Sequence, residues 1–578
     1  MCGIVCYYNN HQTKLFDNKK LSAFENSINI LNHRGPDANG RYIDENYEVF
    51  LGHVRLSIID TSEAANQPFI LNERFVIVFN GELYNYKELS LQFDCLKTSS
   101  DTEIIVRCFE KDGINCFKYF RGMFALCIWD LKNRELIVAR DHLGIKPLFF
   151  YETIDGGIVF SSEIKAIKPW VHNFSFKESI VFDYLYNANY DHPKKTFYEN
   201  IFRLEAGSYM RIKNGSSSIK KWFDIKYNLN LINSQSLEFD QAYLKYEKLL
   251  QETLDIAFRA DVEVGICLSG GIDSAVMATF ASKKVNNLPA YFCSFENYSD
   301  DEYKRAYDLA SKNSIELKTC FFRSSEFNDY LTELLFSQME PIGGLQTLAY
   351  AKMFKDANKD GIKVLLEAQG IDEILAGYPY YNLSLPKNAN VHIDGTEIIV
   401  RKFLNKDYKN HFKSLKPNFK ENKENKLLEK QIHDISLRKI PRVLRMNDLI
   451  SMSSSIELRE PFLDPILLLN CLSFNDDIKI KSNIGKYIHR VLANNLNISK
   501  INSNKNTVVT PQSKWLFNEC YDDVFDILEL ARNDHKYDLK SIKSFLINSH
   551  KSVPKNSFGI WQILNTILLE HLILKNEN

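Results

Sequence analysis

Glu263-Val264-Gly265-Ile266-Cys267-Leu268-Ser269-Gly270-Gly271-Ile272-Asp273-Ser274 passes from an apolar run through a glycine turn into Ala275-Val276-Met277-Ala278, which reads as the body of a helix. The glycines free backbone N–H groups to face an anion, and the helix dipole behind them favours phosphate. No Gly-Lys-Ser/Thr follows, so the turn is not a Walker loop. Strands predicted at 263–268, 290–295 and 316–322 alternate with helices predicted at 243–258, from 274 onward, and at 301–311. Strands that alternate with helices imply βαβ units on a parallel sheet.

Upstream the pattern changes. Short β-rich runs at 48–51, 75–79, 124–129, 135–139 and 148–151 are interrupted by helix-like segments at 21–31 and 102–109, the second with Asp101 as its expected N-cap. This predicts an α+β domain of stacked sheets. Asn214-Gly215-Ser216-Ser217-Ser218 and the polar tract 228–236 mark a boundary, giving domains at 2–212 and 237–578 joined by a linker at 213–236. Residues 402–440 are rich in lysine and asparagine. Interspersed Glu421, Glu424 and Glu429 favour a mobile surface insertion over a nucleic-acid arm.

The 578 residues carry 72 Lys+Arg against 73 Asp+Glu, a net charge of -1, which leaves no basic field to gather nucleic acid. A hydrophobic share of 45% is ordinary for folded domains and excludes a mainly disordered chain. Met1-Cys2-Gly3-Ile4 lacks the basic lead of a signal peptide, and no run reaches about 18 apolar residues, so a soluble cytoplasmic protein without a membrane partner is expected. Eleven cysteines without C-x-x-C spacing argue against a disulfide framework or zinc site.

Removal of Met1 would place a thiol and a free α-amine, of pKa about 7.7–8.0, on Cys2. Behind it come His33-Arg34-Gly35-Pro36-Asp37, Gly52-His53-Val54-Arg55-Leu56-Ser57, Phe79-Asn80-Gly81-Glu82-Leu83-Tyr84-Asn85 and Ser100-Asp101-Thr102-Glu103. Singly these read as a turn, a hairpin signal or a helix cap. In this order they resemble the glutaminase domain of class II glutamine amidotransferases, which are N-terminal-nucleophile hydrolases with stacked antiparallel sheets between helices; the likeness covers about residues 2–210. The resemblance implies that Cys2 attacks the glutamine side-chain amide. Asn80 and the Gly81 N–H would form the oxyanion hole, supplying neutral donors for the developing charge. Arg55 would hold the substrate α-carboxylate, and Asp101 with Glu82 the α-ammonium.

S-G-G-x-D-S at a strand end resembles the pyrophosphate loop of ATP pyrophosphatases. Together with Val364-Leu365-Leu366-Glu367-Ala368-Gln369-Gly370-Ile371-Asp372-Glu373, Gly377-Tyr378 and the run from Asp448 to Asp464, it is similar to the synthetase domain of the asparagine synthetase family over about residues 240–520. That likeness implies an α/β parallel-sheet ATP pyrophosphatase domain. ATP would meet Leu268, Ser269, Gly270, Gly271, Asp273, Ser274, Ser294 and Gly370, with Mg²⁺ on Asp273 and Asp372 and Lys486 neutralising the triphosphate during catalysis.

One departure concerns the acceptor. The family carboxylate before the glycine falls on Gln369, whose amide is no base, and Glu367, two residues away on the same face of an extended segment, is the candidate to replace it. The reaction expected is ATP, glutamine and a carboxylate giving AMP, pyrophosphate, glutamate and an amide, with aspartate the first candidate. A carboxylate on a sugar or other metabolite, and a catalytically silent regulatory paralogue, stay open as alternatives, as does a homodimer.

Overall fold

Strand alternation fixes the first half of the molecule. In the computed structural model the strands are, in chain order, β1 (Cys2–Tyr8), β2 (Ala38–Ile43), β3 (Val49–Arg55), β4 (Phe69–Leu71), β5 (Phe75–Leu83), β6 (Gly122–Asp130), β7 (Glu135–Arg140), β8 (Phe149–Glu152), β9 (Ile158–Ser161), β10 (Ile201–Arg203), β11 (Ser208–Lys213) and β12 (Ser216–Lys221). They build two six-stranded sheets, ordered β10-β8-β9-β1-β3-β2 and β12-β11-β7-β6-β5-β4, whose strand pairs are antiparallel. Because successive side chains point to opposite faces, Ile4, Cys6 and Tyr8 of β1 meet Val76, Val78, Cys127 and Trp129 of the other sheet in a core between the two. Val5 and Tyr7 face outward onto Phe24 and Ile28 of helix Asn18–Ile30. On the far side Ile77 and Phe79 pack with Ile104 and Ile105 of helix Asp101–Asp112. The result is a helix–sheet–sheet–helix stack.

The second half carries β13 (Val264–Cys267), β14 (Leu288–Phe295), β15 (Ile315–Phe322), β16 (Val364–Leu366) and β17 (Glu457–Arg459) in one parallel sheet ordered β15-β14-β13-β16-β17. Val264, Ile266, Val364 and Leu366 are apolar and buried, as befits a sheet covered by helices on its faces. The central glycine turn follows β13 and opens helix Ile272–Ser282. One core runs through both halves, since Ile104 and Phe79 belong to the same apolar cluster as Leu366 and Phe462.

The structure describes residues 2–10, 17–190, 192–232, 237–296, 301–381, 400–412, 426–498, 510–532, 534–554 and 557–575. Three expectations change. The helix N-cap is Ser100, whose side chain accepts from Thr102 N, so Asp101 is the first helical residue and its carboxylate is free for another task. Asn214-Gly215, read as the start of a linker, turns the hairpin between β11 and β12, so 213–221 belongs to the second antiparallel sheet and helix Ile225–Leu231 follows; residues 233–236 lie outside the described residues. Where it is described, the segment 402–440 carries helix Lys406–His411 and helix Leu427–His433, with Leu427, Gln431 and Ile432 buried. Glu421 and Glu424 lie outside the described residues, as does Met1. Among the described residues no helix is long and apolar enough to cross a membrane, and all eleven cysteines are free thiols.

Candidate active site

The register of β1 against β3 sets Cys2 directly beside Arg55. The Cys2 nitrogen, which becomes the α-amine once Met1 is removed, donates to Asn80 Oδ1 at 3.1 Å. Asn80 Nδ2 is left a long 3.5 Å contact to Ser162 Oγ, so this donor is only loosely engaged. Gly81 has φ 149°, and a Cβ there would meet the Met123 carbonyl oxygen at 2.0 Å, so glycine is required. Burial pushes the Cys2 thiol above its ordinary pKa, opposed by a hydrogen bond from the Leu56 backbone and by the charge of Arg55.

Arg55 is held by carbonyls of the following loop, donating to Ser62 O and Asn66 Oδ1 at 2.8 Å each and also to Asp60 O. Asp101 accepts from Leu83 N at 2.9 Å, which anchors it to the strand that carries Asn80 and Gly81. Burial, aided by the charge of Glu457, lifts Asp101 to about 6 despite the Leu83 hydrogen bond. Glu82 is buried beside it with Oε1 lacking a hydrogen-bond partner, and burial together with the charge of Asp101 raises it well above the carboxylate range. Cys2, Asn80, Gly81, Arg55, Glu82 and Asp101 therefore converge on adjoining edges of β1, β3, β5 and one helix start.

At the parallel sheet the expected ATP residues gather at the carboxyl ends of the strands, where ligands of open α/β sheets bind. Ser269 and Ser274 join through their hydroxyls at 3.0 Å, and Gly271 N donates to Ser269 Oγ at 3.4 Å. Gly270 has φ 68°, and a Cβ on it would lie 2.2 Å from Glu302 O. Leu268 follows β13, Ser294 lies near the end of β14, and Gly370 follows β16 at φ 106°. Lys486 precedes helix Tyr487–Asn495 as its N-cap residue. It is 2% exposed, and its Nζ lies 2.9 Å from Asp273 Oδ2 and 2.8 Å from Asp372 Oδ1. Its pKa is raised because these two carboxylates outweigh burial.

Glu367 is 7% exposed, with Oε1 accepting from Gln369 Nε2 at 3.0 Å and Oε2 from Asn447 Nδ2 at 2.6 Å. Gln369 thus holds Glu367 instead of acting beside it.

Several residues that join the halves had no reading of their own in the sequence. Arg34 donates to Cys2 O at 3.0 Å, to Glu163 Oε1 at 2.9 Å and to Asp448 Oδ2 at 2.9 Å. Lys146 lies 3.3 Å from the other oxygen of Asp448. Arg459 of β17 pairs with Glu457 at 2.5 Å and reaches Glu82 at 3.3 Å. Burial alone would raise Glu163, but His33, Lys165 and Arg34 hold it well below the carboxylate range. The available signal was a run of charge, Glu457-Leu458-Arg459-Glu460, set between Ile456 and Pro461-Phe462-Leu463, where buried charges survive only if paired.

A cysteine at a strand start with an asparagine-glycine pair beside it, joined to a phosphate-type loop on a parallel sheet, defines a two-part glutamine-hydrolysing amidotransferase. Residues 1–223 match the family model described as a glutamine amidotransferase domain, and residues 245–573 match that described as asparagine synthase. The chain belongs to the asparagine synthase family. It is 27% identical to asparagine synthetase [glutamine-hydrolyzing] 1 of Bacillus subtilis, over 98% of this chain and 95% of that one. It is 34% identical to asparagine synthetase [glutamine-hydrolyzing] 2 of the same organism, over 60% of this chain and 48% of that one. A fungal relative, amidase chyE of Penicillium rubens, is 29% identical over 67% of this chain and 60% of its own length.

Proposed function

We propose that this chain moves the amide nitrogen of glutamine onto a carboxylate activated as its adenylate, with aspartate as acceptor and asparagine as product. The observation that carries this reading is one helix, Ile440–Met452, whose adjacent residues Asn447 and Asp448 reach Glu367 beside the ATP loop and Arg34 beside Cys2. Two sites tied by a shared buried helix suit a reaction in which one makes ammonia and the other consumes it.

On this reading the Cys2 thiol gives its proton to the α-amine and attacks the glutamine amide. Asn80 Nδ2 and the Gly81 N–H stabilise the oxyanion, Arg55 and Asp101 fix the two ends of the amino acid, and Glu82 completes the ammonium pocket. At the sheet, the Ser269–Ser274 turn cradles phosphate, with Leu268, Ser294 and Gly370 lining the nucleotide, and Lys486 neutralises negative charge as pyrophosphate leaves. Asp273 and Asp372 flank one cationic point, and two carboxylates with phosphate oxygens are a donor set that suits Mg²⁺, which would supply charge neutralisation at the leaving group. The glutaminase part on this reading includes the β11–β12 hairpin.

A second acceptor is favoured by two features: Gln369 stands where the resemblance places a carboxylate, and relatives that bear the name of an amidase match this chain. Glutamine, ATP and a panel of carboxylates, with AMP, pyrophosphate and amide measured, separates the readings. Amide and AMP formed with aspartate support the first, and formation only with another carboxylate supports the second.

A further inference from the structure

Strands β16 and β17 run parallel with Leu366 opposite Arg459 as their last pair, closed by the backbone hydrogen bond from Glu367 N to Arg459 O at 2.9 Å. Glu367 and Glu460 are the residues that follow this last pair at the carboxyl edge of the sheet, and their carboxylates lie close enough for the charge of one to act on the other. Glu460 is 4% exposed, and its Oε2 has no hydrogen-bond partner. A buried carboxylate oxygen left without a donor is costly to keep for structure alone. The Asn447 amide serves both carboxylates, Asp448 of the same helix lies near Glu460, and Lys146 faces it from the first half of the chain.

We propose that Glu460, paired with Glu367, takes up the proton released when ammonia attacks the activated carboxylate. This rests on the acyl-adenylate reading above. The ammonia lone pair forms the N–C bond as the carbonyl π pair moves to oxygen. One N–H proton then passes to the unpartnered carboxylate oxygen. Collapse breaks the C–O bond to AMP, which leaves with that electron pair, giving amide, AMP and one proton held by the carboxylate pair. The pair does what the glutamine at position 369 cannot.

The groups facing this pair are Gln369 on the loop of Glu367, Asn447 and Asp448 of helix Ile440–Met452, Lys146 from the segment after β7, Cys267 at the end of β13, Tyr350 beside Glu367 and Tyr84 toward Glu460. Burial raises Glu367 to about 7 against the two amide hydrogen bonds. Burial with the charges of Glu367 and Asp448 takes Glu460 to about 8 against Lys146. Two carboxyls in this range exchange protons at neutral pH, as the step requires.

The test uses the full chain with Mg²⁺, ATP, aspartate and ammonium chloride between about pH 6 and 9, reading pyrophosphate and amide separately. In Glu460→Gln the amide formed per pyrophosphate released is expected to fall about 10²-fold or more and, compared at constant free ammonia, to lose its rise with pH, which Glu460→Asp partly restores. A wild-type ratio and pH profile in Glu460→Gln would overturn the proposal. So would equal losses of both products in Glu460→Gln and Glu460→Asp, since that marks a structural role. If wild-type protein releases no pyrophosphate with any carboxylate, the acyl-adenylate reading itself fails and takes this inference with it.

Discussion

Arg34 and Asp448, 414 positions apart, form a fully buried ion pair at 2.9 Å, while the same guanidinium holds the carbonyl of Cys2. One side chain thus ties the strand of Cys2 to a helix of the parallel-sheet half. Asp448 is shared with Lys146, so two buried cations depend on it.

Asp448→Ala leaves Arg34 and Lys146 without a common counter-ion in a site that water does not reach. Removing one member of a buried pair costs about 3–5 kcal/mol. The thermal midpoint of the chain should drop clearly, with Asp448→Asn falling less because it keeps an acceptor for Arg34. A melting curve unchanged in both variants would show that the pair holds nothing together.

Asn80→Ala should lower kcat for glutamine hydrolysis by about 10²–10³ while ammonia-dependent synthesis continues, because one oxyanion donor is lost and the other site is untouched. Cys2→Ala should remove glutamine hydrolysis altogether and also spare the ammonia reaction. Steady-state assays with each nitrogen source check both, and glutaminase activity persisting in Cys2→Ala would remove Cys2 from its role.

The pH dependence of glutamine binding follows from Asp101, raised to about 6 chiefly by burial. An ammonium group binds the ionised carboxylate, so binding is complete above that value and weakens as pH falls through it. KM for glutamine should therefore rise from pH 7 to pH 5, a trend that Asp101→Asn abolishes along with most of the affinity. A KM flat over that interval in the native protein would exclude Asp101 from the ammonium pocket.

Much of this was legible in the sequence because it is local. The strand and turn of 263–274 declare themselves through an apolar run followed by two glycines, and the strands predicted at 290–295 and 316–322 lie within β14 and β15. Asp101 was harder. Either Ser100 or Asp101 satisfies the chemistry of a helix cap, and only the position of Leu83 N decides which carboxylate or hydroxyl turns where. The Asn214–Gly215 pair is the same turn signal in a loop and in a hairpin, and pairing with β7 settles it. The partners of Arg34, Asp448 and Arg459 lie hundreds of residues away, so buried charge in the sequence signals that a partner exists but not which residue it is.

Asp273→Asn and Asp372→Asn each remove one of the two charges around Lys486. Both should stop acceptor-dependent pyrophosphate formation while leaving glutamine hydrolysis intact, since the thiol site lies on the other sheets. Pyrophosphate release at the native rate in both would mean that these carboxylates do not serve the phosphates.

Transfer of the amide nitrogen as proposed requires that the acceptor carboxylate first become an acyl-adenylate. Supplying glutamine, ATP and aspartate labelled with ¹⁸O in its carboxylates, and weighing the AMP by mass spectrometry, follows the oxygen that the carboxylate donates to phosphorus. One ¹⁸O atom in each AMP, with none in pyrophosphate, is the predicted result. AMP without label, or label found in inorganic phosphate beside ADP, would contradict it.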